Sequence, residues 1–177
     1  MARVSHVEEN GHPELASLIA RIRSGRRGEL LNIYKLLLHA PKLAASWFDH
    51  FTAVRWHTQL AGRLREILII RIAILNRSEY VLRQHVPRLA EAEGLTQAEC
   101  DSLTDWRSAS FLSAGERAAL ALADEMTNSA VVADATFAEL RRHFGEREVV
   151  ELAVLIGSYN MHNKVFGALK VDLEPSR

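Results

Sequence analysis

The sequence predicts an all-α protein, and three observations carry that expectation. Apolar residues recur at helical spacing, as in Leu15, Leu18, Ile19 and Ile22. Thr96 with Glu99, and Ser113 with Glu116, each have the spacing of a capping box, a reciprocal pair that marks a helix start. Nowhere does a convincing alternating run of β-branched residues occur, so no strand is expected. The pattern gives about eight helices in one domain spanning 1–177.

In chain order, residues 1–12 are polar, contain His6 and His12, and read as a loose arm. A first helix follows Pro13. Gly25 and Gly28 flank Arg26 and Arg27, which gives a basic turn with the reading of a solvated loop. Leu30 to Leu38 is a second helix, ended by His39-Ala40-Pro41. Lys42 to about Leu60 is rich in aromatics, with Trp47, Phe48, Phe51 and Trp56, and Gly62 is read as its close. Leu64 to Leu75 is apolar on nearly every side, which marks a helix buried all round.

Asn76 breaks that run. With Glu79 three residues on, it reads as an N-cap, which puts Ser78 in a helical first turn where backbone N–H groups are free. Pro87 removes a helical N–H and frees the carbonyl of Arg83, so a kink is expected before helix resumes to Gly94. The Ser113 box opens an Ala- and Leu-rich helix to about Asn128. Asp134 is read as the cap of a helix ending near His143, stopped by Gly145. Glu146 to Leu169 is the last and longest helix.

Composition narrows the class. With 48% hydrophobic and 25% charged residues this is an ordinary globular chain. Lys plus Arg and Asp plus Glu are 22 each, so no overall field argues for nucleic acid. The single Cys100 cannot form an internal disulfide, which points to a reducing compartment. No apolar leader follows Met1 and no uncharged apolar window is long enough to span a bilayer, so a cytoplasmic protein without membrane partners is expected.

The chemistry-bearing stretch is REILIIRIAILNRSEYVLRQH. Glu66 sits inside the apolar helix, where an ionised carboxylate is costly unless paired, hydrogen-bonded or functional. The order Glu66, Ser78, Val81, His85 resembles E-x11-C-x2-C-x3-H of the carboxymuconolactone decarboxylase family and its alkylhydroperoxidase D-like branch. The Glu and His match and neither cysteine is present. The resemblance extends from Ala40-Pro41-Lys42 to LIGSYNMHNKVFGAL, covering roughly residues 30 to 170. It implies an alkylhydroperoxidase D-like helical bundle, often built from two similar halves, with Glu66 and His85 brought together as a proton-handling pair.

The missing thiols decide between branches. Peroxidase chemistry needs a thiolate and a resolving thiol, and a serine hydroxyl cannot cycle through sulfenic acid. What the resemblance leaves is acid–base work by Glu66 and His85 on a small cyclic organic acid or lactone, with no cofactor. Ser78, Tyr80, Tyr159 and Asn160 are the expected substrate-binding residues, the last two because a similar YN pair lines the pocket wall in the family. Arg63, Arg65, Arg71 or Arg83 would hold a substrate carboxylate.

Each of these has a structural alternative. Glu66 also reads as an ion-paired core carboxylate, His85 as a satisfied core histidine, Ser78 as a first-turn residue and Tyr80 as packing. His50, His57 and His162 lack any metal-ligand motif, and no metal site is expected. The rival classes are an alkylhydroperoxidase-type redox protein, resting on Cys100, and a non-catalytic oligomeric binding module. Two helices apolar all round, with the aromatic segment, suggest a homo-oligomer, dimer to hexamer.

Overall fold

The computed structural model of the chain describes residues 1–175; Ser176 and Arg177, the end of the expected domain, lie outside the described residues. Among the described residues every regular element is helical. In order these are α1 (Ala16–Ser24), α2 (Asn32–Leu37), α3 (Pro41–Trp56), α4 (Gly62–Leu75), α5 (Glu79–His85), α6 (Gln97–Ser102), α7 (Ala114–Asn128), α8 (Asp134–Arg141) and α9 (Glu146–Leu169). Short 3-10 turns lie at Glu9–Gly11, Pro13–Leu15 and Leu103–Ser108, and a π-helical turn at Val86–Ala90. The chain clusters into two compact units: Met1–His57 with the chain from Val165 on, and Thr58–Lys164.

In the first unit α3 packs against α1 and α2. Trp47, Phe48 and Phe51 are buried, so most of the aromatic segment is core. The basic turn is largely exposed, as expected of a solvated loop, with Arg26 half-buried. Arg26 folds back so that its guanidinium lies 4.5 Å from the Phe48 ring centre and its Nε donates to the Tyr34 hydroxyl at 3.0 Å. The segment read as a loose arm is also tied down. Val7 N–H donates to the Lys35 carbonyl at 3.1 Å and Ala2 N–H to Asp172 at 2.9 Å.

The second unit is built around α4. Ile67, Leu68, Ile69, Ile70, Ile72 and Ala73 are all buried, which is how a helix apolar on every side must be used. It packs against α7, α5 and the π turn. Gly62 opens this helix and does not close α3. A Cβ there would fall on the Glu93 carboxylate, so only glycine lets that side chain approach. Thr96 and Ser113 form the two capping boxes as expected, each accepting from the backbone N–H of Glu99 and Glu116. Asp134 is not the cap of α8; Ala133 holds that position and Asp134 is the first helical residue.

The connection between α4 and α5 also departs from the expectation. Asn76 is the C-cap of α4, and its Nδ2 donates to the Ile72 carbonyl at 2.9 Å. Arg77 then takes a left-handed conformation, φ 54°. Its N–H donates to Ile74 O at 3.0 Å and that of Ser78 to Ala73 O at 2.8 Å. These two bonds make a Schellman motif, with arginine where glycine is usual. Ser78, not Asn76, is the N-cap of α5, and its side chain makes no capping bond. At Pro87 the helix widens into the π turn, which accommodates the missing N–H without breaking the rod.

Candidate functional site

Glu66 is 1% exposed and His85 4%, so both ionisable side chains are inside the second unit. They meet there: His85 Nδ1 donates to Glu66 Oε2 at 2.6 Å, a short, charge-assisted bond. The spacing needs the turn between α4 and α5. Glu66 lies in the first half of α4, the Schellman turn reverses the chain, and α5 brings His85 back alongside. With the carboxylate holding Nδ1–H, the tautomer of the imidazole is set.

Tyr159 of α9 packs on the pair. Its ring packs edge-on against His85, centroids 5.8 Å apart and planes at 84°. Tyr159 also meets His162 in the same manner, at 5.3 Å and 76°. The structure therefore brings Glu66, His85 and Tyr159 together, and adds His162 beside the tyrosine. Tyr80 and Ser78 are buried on α5 and its N-cap. Asn160 is committed elsewhere. Its Oδ1 accepts from Asn76 Nδ2 at 2.9 Å, and its own Nδ2 donates to Thr127 Oγ1 at 3.0 Å and to Ile156 O at 3.1 Å.

The four arginines named from the sequence each have a carboxylate partner. Arg63 bonds Glu116 at 3.1 Å, Arg65 lies 3.5 Å from Glu93 and Arg83 pairs with Glu79 at 2.8 Å. Arg71 is buried and binds Asp124 at 2.6 Å. Asp124 was not legible as important, since it sits in an Ala-rich helix with the look of a surface acid. Burial pushes its carboxyl up, but hydrogen bonds from Arg71, Trp106 and Arg107 outweigh that and leave it below the ordinary carboxylate value.

Cys100 is buried on α6. Burial, helped by the nearby carboxylates of Asp101, Glu99 and Glu66, pushes its thiol up to about 11. Among the described residues no group of three His, Cys, Asp or Glu side chains is placed to hold a metal ion. His50 packs edge-on against Phe51 at 5.3 Å.

Residues 41–125 match the model of the carboxymuconolactone decarboxylase family. The chain is 29% identical over 103 residues to the uncharacterized protein YdfG of Bacillus subtilis (strain 168), a match covering 57% of this chain and 69% of that one. Its fold is similar to that of an uncharacterized peroxidase-related protein from Ralstonia eutropha with an alkylhydroperoxidase AhpD core. There the TM-score is 0.83 at 18% identity, over 98% of this chain and 92% of the other. A debrominase crystallised with 2,3,4-tribromopyrrole gives 0.78 at 20% identity, over 97% and 91%. At such identities the likeness is one of fold. Fold and matched segment together define the class: an all-α, alkylhydroperoxidase D-like protein. Within it, residues 41–125 resemble the carboxymuconolactone decarboxylase family, with Ser78 and Val81 where the E-x11-C-x2-C-x3-H pattern has cysteines.

Proposed function

We propose that the protein is an enzyme doing acid–base chemistry without a cysteine nucleophile on a small cyclic organic acid or lactone. The observation that carries this reading is the buried 2.6 Å bond between His85 Nδ1 and Glu66 Oε2. In the proposed step, His85 Nε2 takes a proton from the carbon beside the substrate carbonyl. Glu66 steadies the imidazolium that forms, and Nε2 then returns the proton to another atom of the enolate. Ser78, Tyr80 and Tyr159 are the proposed substrate contacts; Asn160 is left to hold α9 to Asn76.

Within this class the pairing of Arg63, Arg65, Arg71 and Arg83 favours proton transfer or lactone opening over a carboxy-lyase reaction. Decarboxylation needs a cation for the departing carboxylate, and each of these guanidiniums already serves an acid. A thiol peroxidase is disfavoured by a buried Cys100 raised to about 11, since the thiolate is the reactive form. The proposal includes a homo-oligomer, dimer to hexamer, because Val150, Val154 and Met161 put an apolar row on the exposed side of α9.

The test is hydrogen exchange at carbon. Wild-type protein in D2O should exchange the acidic C–H of carboxymuconolactone-type γ-lactones, followed by proton NMR, and His85→Gln should stop it. Exchange that persists in His85→Gln overturns the reading.

A further inference from the structure

Two asparagines three residues apart on α9 are held in the same way and end differently. Asn160 Nδ2 donates back to Ile156 O at 3.1 Å, and Asn163 Nδ2 donates back to Tyr159 O at 2.7 Å. A carbonyl only accepts, so each bond fixes which end of the amide is nitrogen. The oxygen is left as the outward arm. For Asn160 that arm accepts from Asn76 at 2.9 Å. For Asn163, which is 3% exposed, no N–H or O–H among the described residues reaches Oδ1.

Buried acceptors are nearly always matched, and a native exception asks for a reason. The position supplies one. Asn163 stands one turn beyond Tyr159 on the buried side of α9, so the two side chains are neighbours. Tyr159 in turn packs at 5.8 Å on His85, the imidazole bonded to Glu66. An oxygen able only to accept, one helical turn from the tyrosine that packs on His85, selects a partner that carries a donor.

We infer that Asn163 Oδ1 is the donor-reading position of the Glu66–His85 site. It accepts from an N–H or O–H of the bound molecule. The inference rests on the acid–base reading and narrows it. The substrate is a small ring compound with a hydroxyl, enol or ring N–H beside the carbonyl, and not a bare lactone. An analogue lacking the donor leaves Oδ1 as unsatisfied as before, whereas the donor-bearing compound gains a buried hydrogen bond.

Two ring compounds of one size test this: γ-butyrolactam, which carries N–H, and γ-butyrolactone, which does not. Ligand-observed NMR titration of the full-length protein should give at least about tenfold tighter binding of the lactam. Asn163→Ala and Asn163→Leu should bring the two ligands to equal affinity, with melting temperatures near that of wild type; two variants guard against one failing to fold. Equal affinities in wild type overturn the inference, as does a preference that survives both substitutions. So does failure of the lactam to bind at millimolar concentration, or a lactam-soaked crystal in which Oδ1 meets only an ordered water. Binding is read apart from turnover. A lactam preference without hydrogen exchange at carbon sinks the proposed function and leaves Asn163 its role, while exchange without preference does the reverse.

Discussion

Arg71 of α4 and Asp124 of α7 are joined by two parallel bonds, Nε to Oδ1 at 2.6 Å and Nη2 to Oδ2 at 3.1 Å. The same carboxylate accepts from Trp106 Nε1 at 3.0 Å and Arg107 Nη1 at 3.2 Å, and Arg71 Nη1 donates to the carbonyls of Leu103 and Thr104, each at 3.0 Å. One ion pair thus ties the central helix, α7 and the 3-10 turn between them.

Asp124→Asn should therefore cost roughly 3–5 kcal/mol in denaturant unfolding, because it strands a buried guanidinium. The pH dependence has a definite sign. Asp124 has a folded value below its ordinary 3.8, so its contribution is complete above that value. It is lost as pH falls through the lower folded value. Wild type should lose stability over that acid range more steeply than Asp124→Asn, and parallel curves would contradict the assignment.

For Glu66 and His85 the distinguishing measurement is a double-mutant cycle on the exchange reaction. Glu66→Gln and His85→Gln should each abolish turnover, and the double variant should lose little more, since parts of one unit fail once. A glutamine amide oxygen still accepts from Nδ1–H, so the melting temperature of Glu66→Gln should stay near that of wild type. Additive losses, or a collapse of Glu66→Gln alone, would show a structural ion pair instead.

Arg77 offers a stabilising change. Its φ of 54° is strained for any residue with a Cβ, and its side chain is exposed. Arg77→Gly should raise stability by about 0.5–1 kcal/mol, the relief of strain exceeding the added freedom of the unfolded chain. A lower melting point would mean that the arginine side chain holds the turn.

Hydroperoxide with a dithiol reductant should give no turnover above the Cys100→Ser background. Native Cys100 should react with a thiol reagent far more slowly than unfolded protein, given its burial and a thiol raised to about 11. Peroxidase activity that vanishes in Cys100→Ser would reverse the choice of chemistry.

Light scattering at micromolar concentration should give a mass of at least twice the 19.9 kDa chain. Val154→Glu should shift it toward the monomer. A wild-type monomer removes the oligomer from the proposal.

The helices were readable because their signals are local. The boxes at Thr96 and Ser113 sit within four residues, and the bounds of α9 follow from one apolar run. Asn76 was misread because the αL turn after α4 lacks the glycine that announces such turns, and an Asn followed by an acid imitates an N-cap. At the site, the pairing of Glu66 with His85 followed from the spacing that the family resemblance gave. Asn163 had a weaker signal, an amide four residues after Tyr159 inside an apolar helix. Asp124 had none of its own; the hint was Arg71, an arginine set among isoleucines in the apolar half of α4. Long-range partners such as Arg71 and Asp124 are 53 residues apart, and no local pattern couples them.

The widened turn at Val86–Ala90 ties the geometry of the following segment to the length of the chain. A single π turn is what remains when one extra amino acid is slipped into an established α-helix and the rod bulges to absorb it. Such a residue can be taken out again. Deleting one position between Val86 and Ala90 would restore even winding but rotate everything downstream by about a quarter turn relative to His85. Ala90, fully buried now, would swing off its seat. The imidazole's place on α5 and the docking of the following segment are thus set by the length of the chain at one spot, so comparisons of sequences across this stretch should weigh gaps more heavily than substitutions.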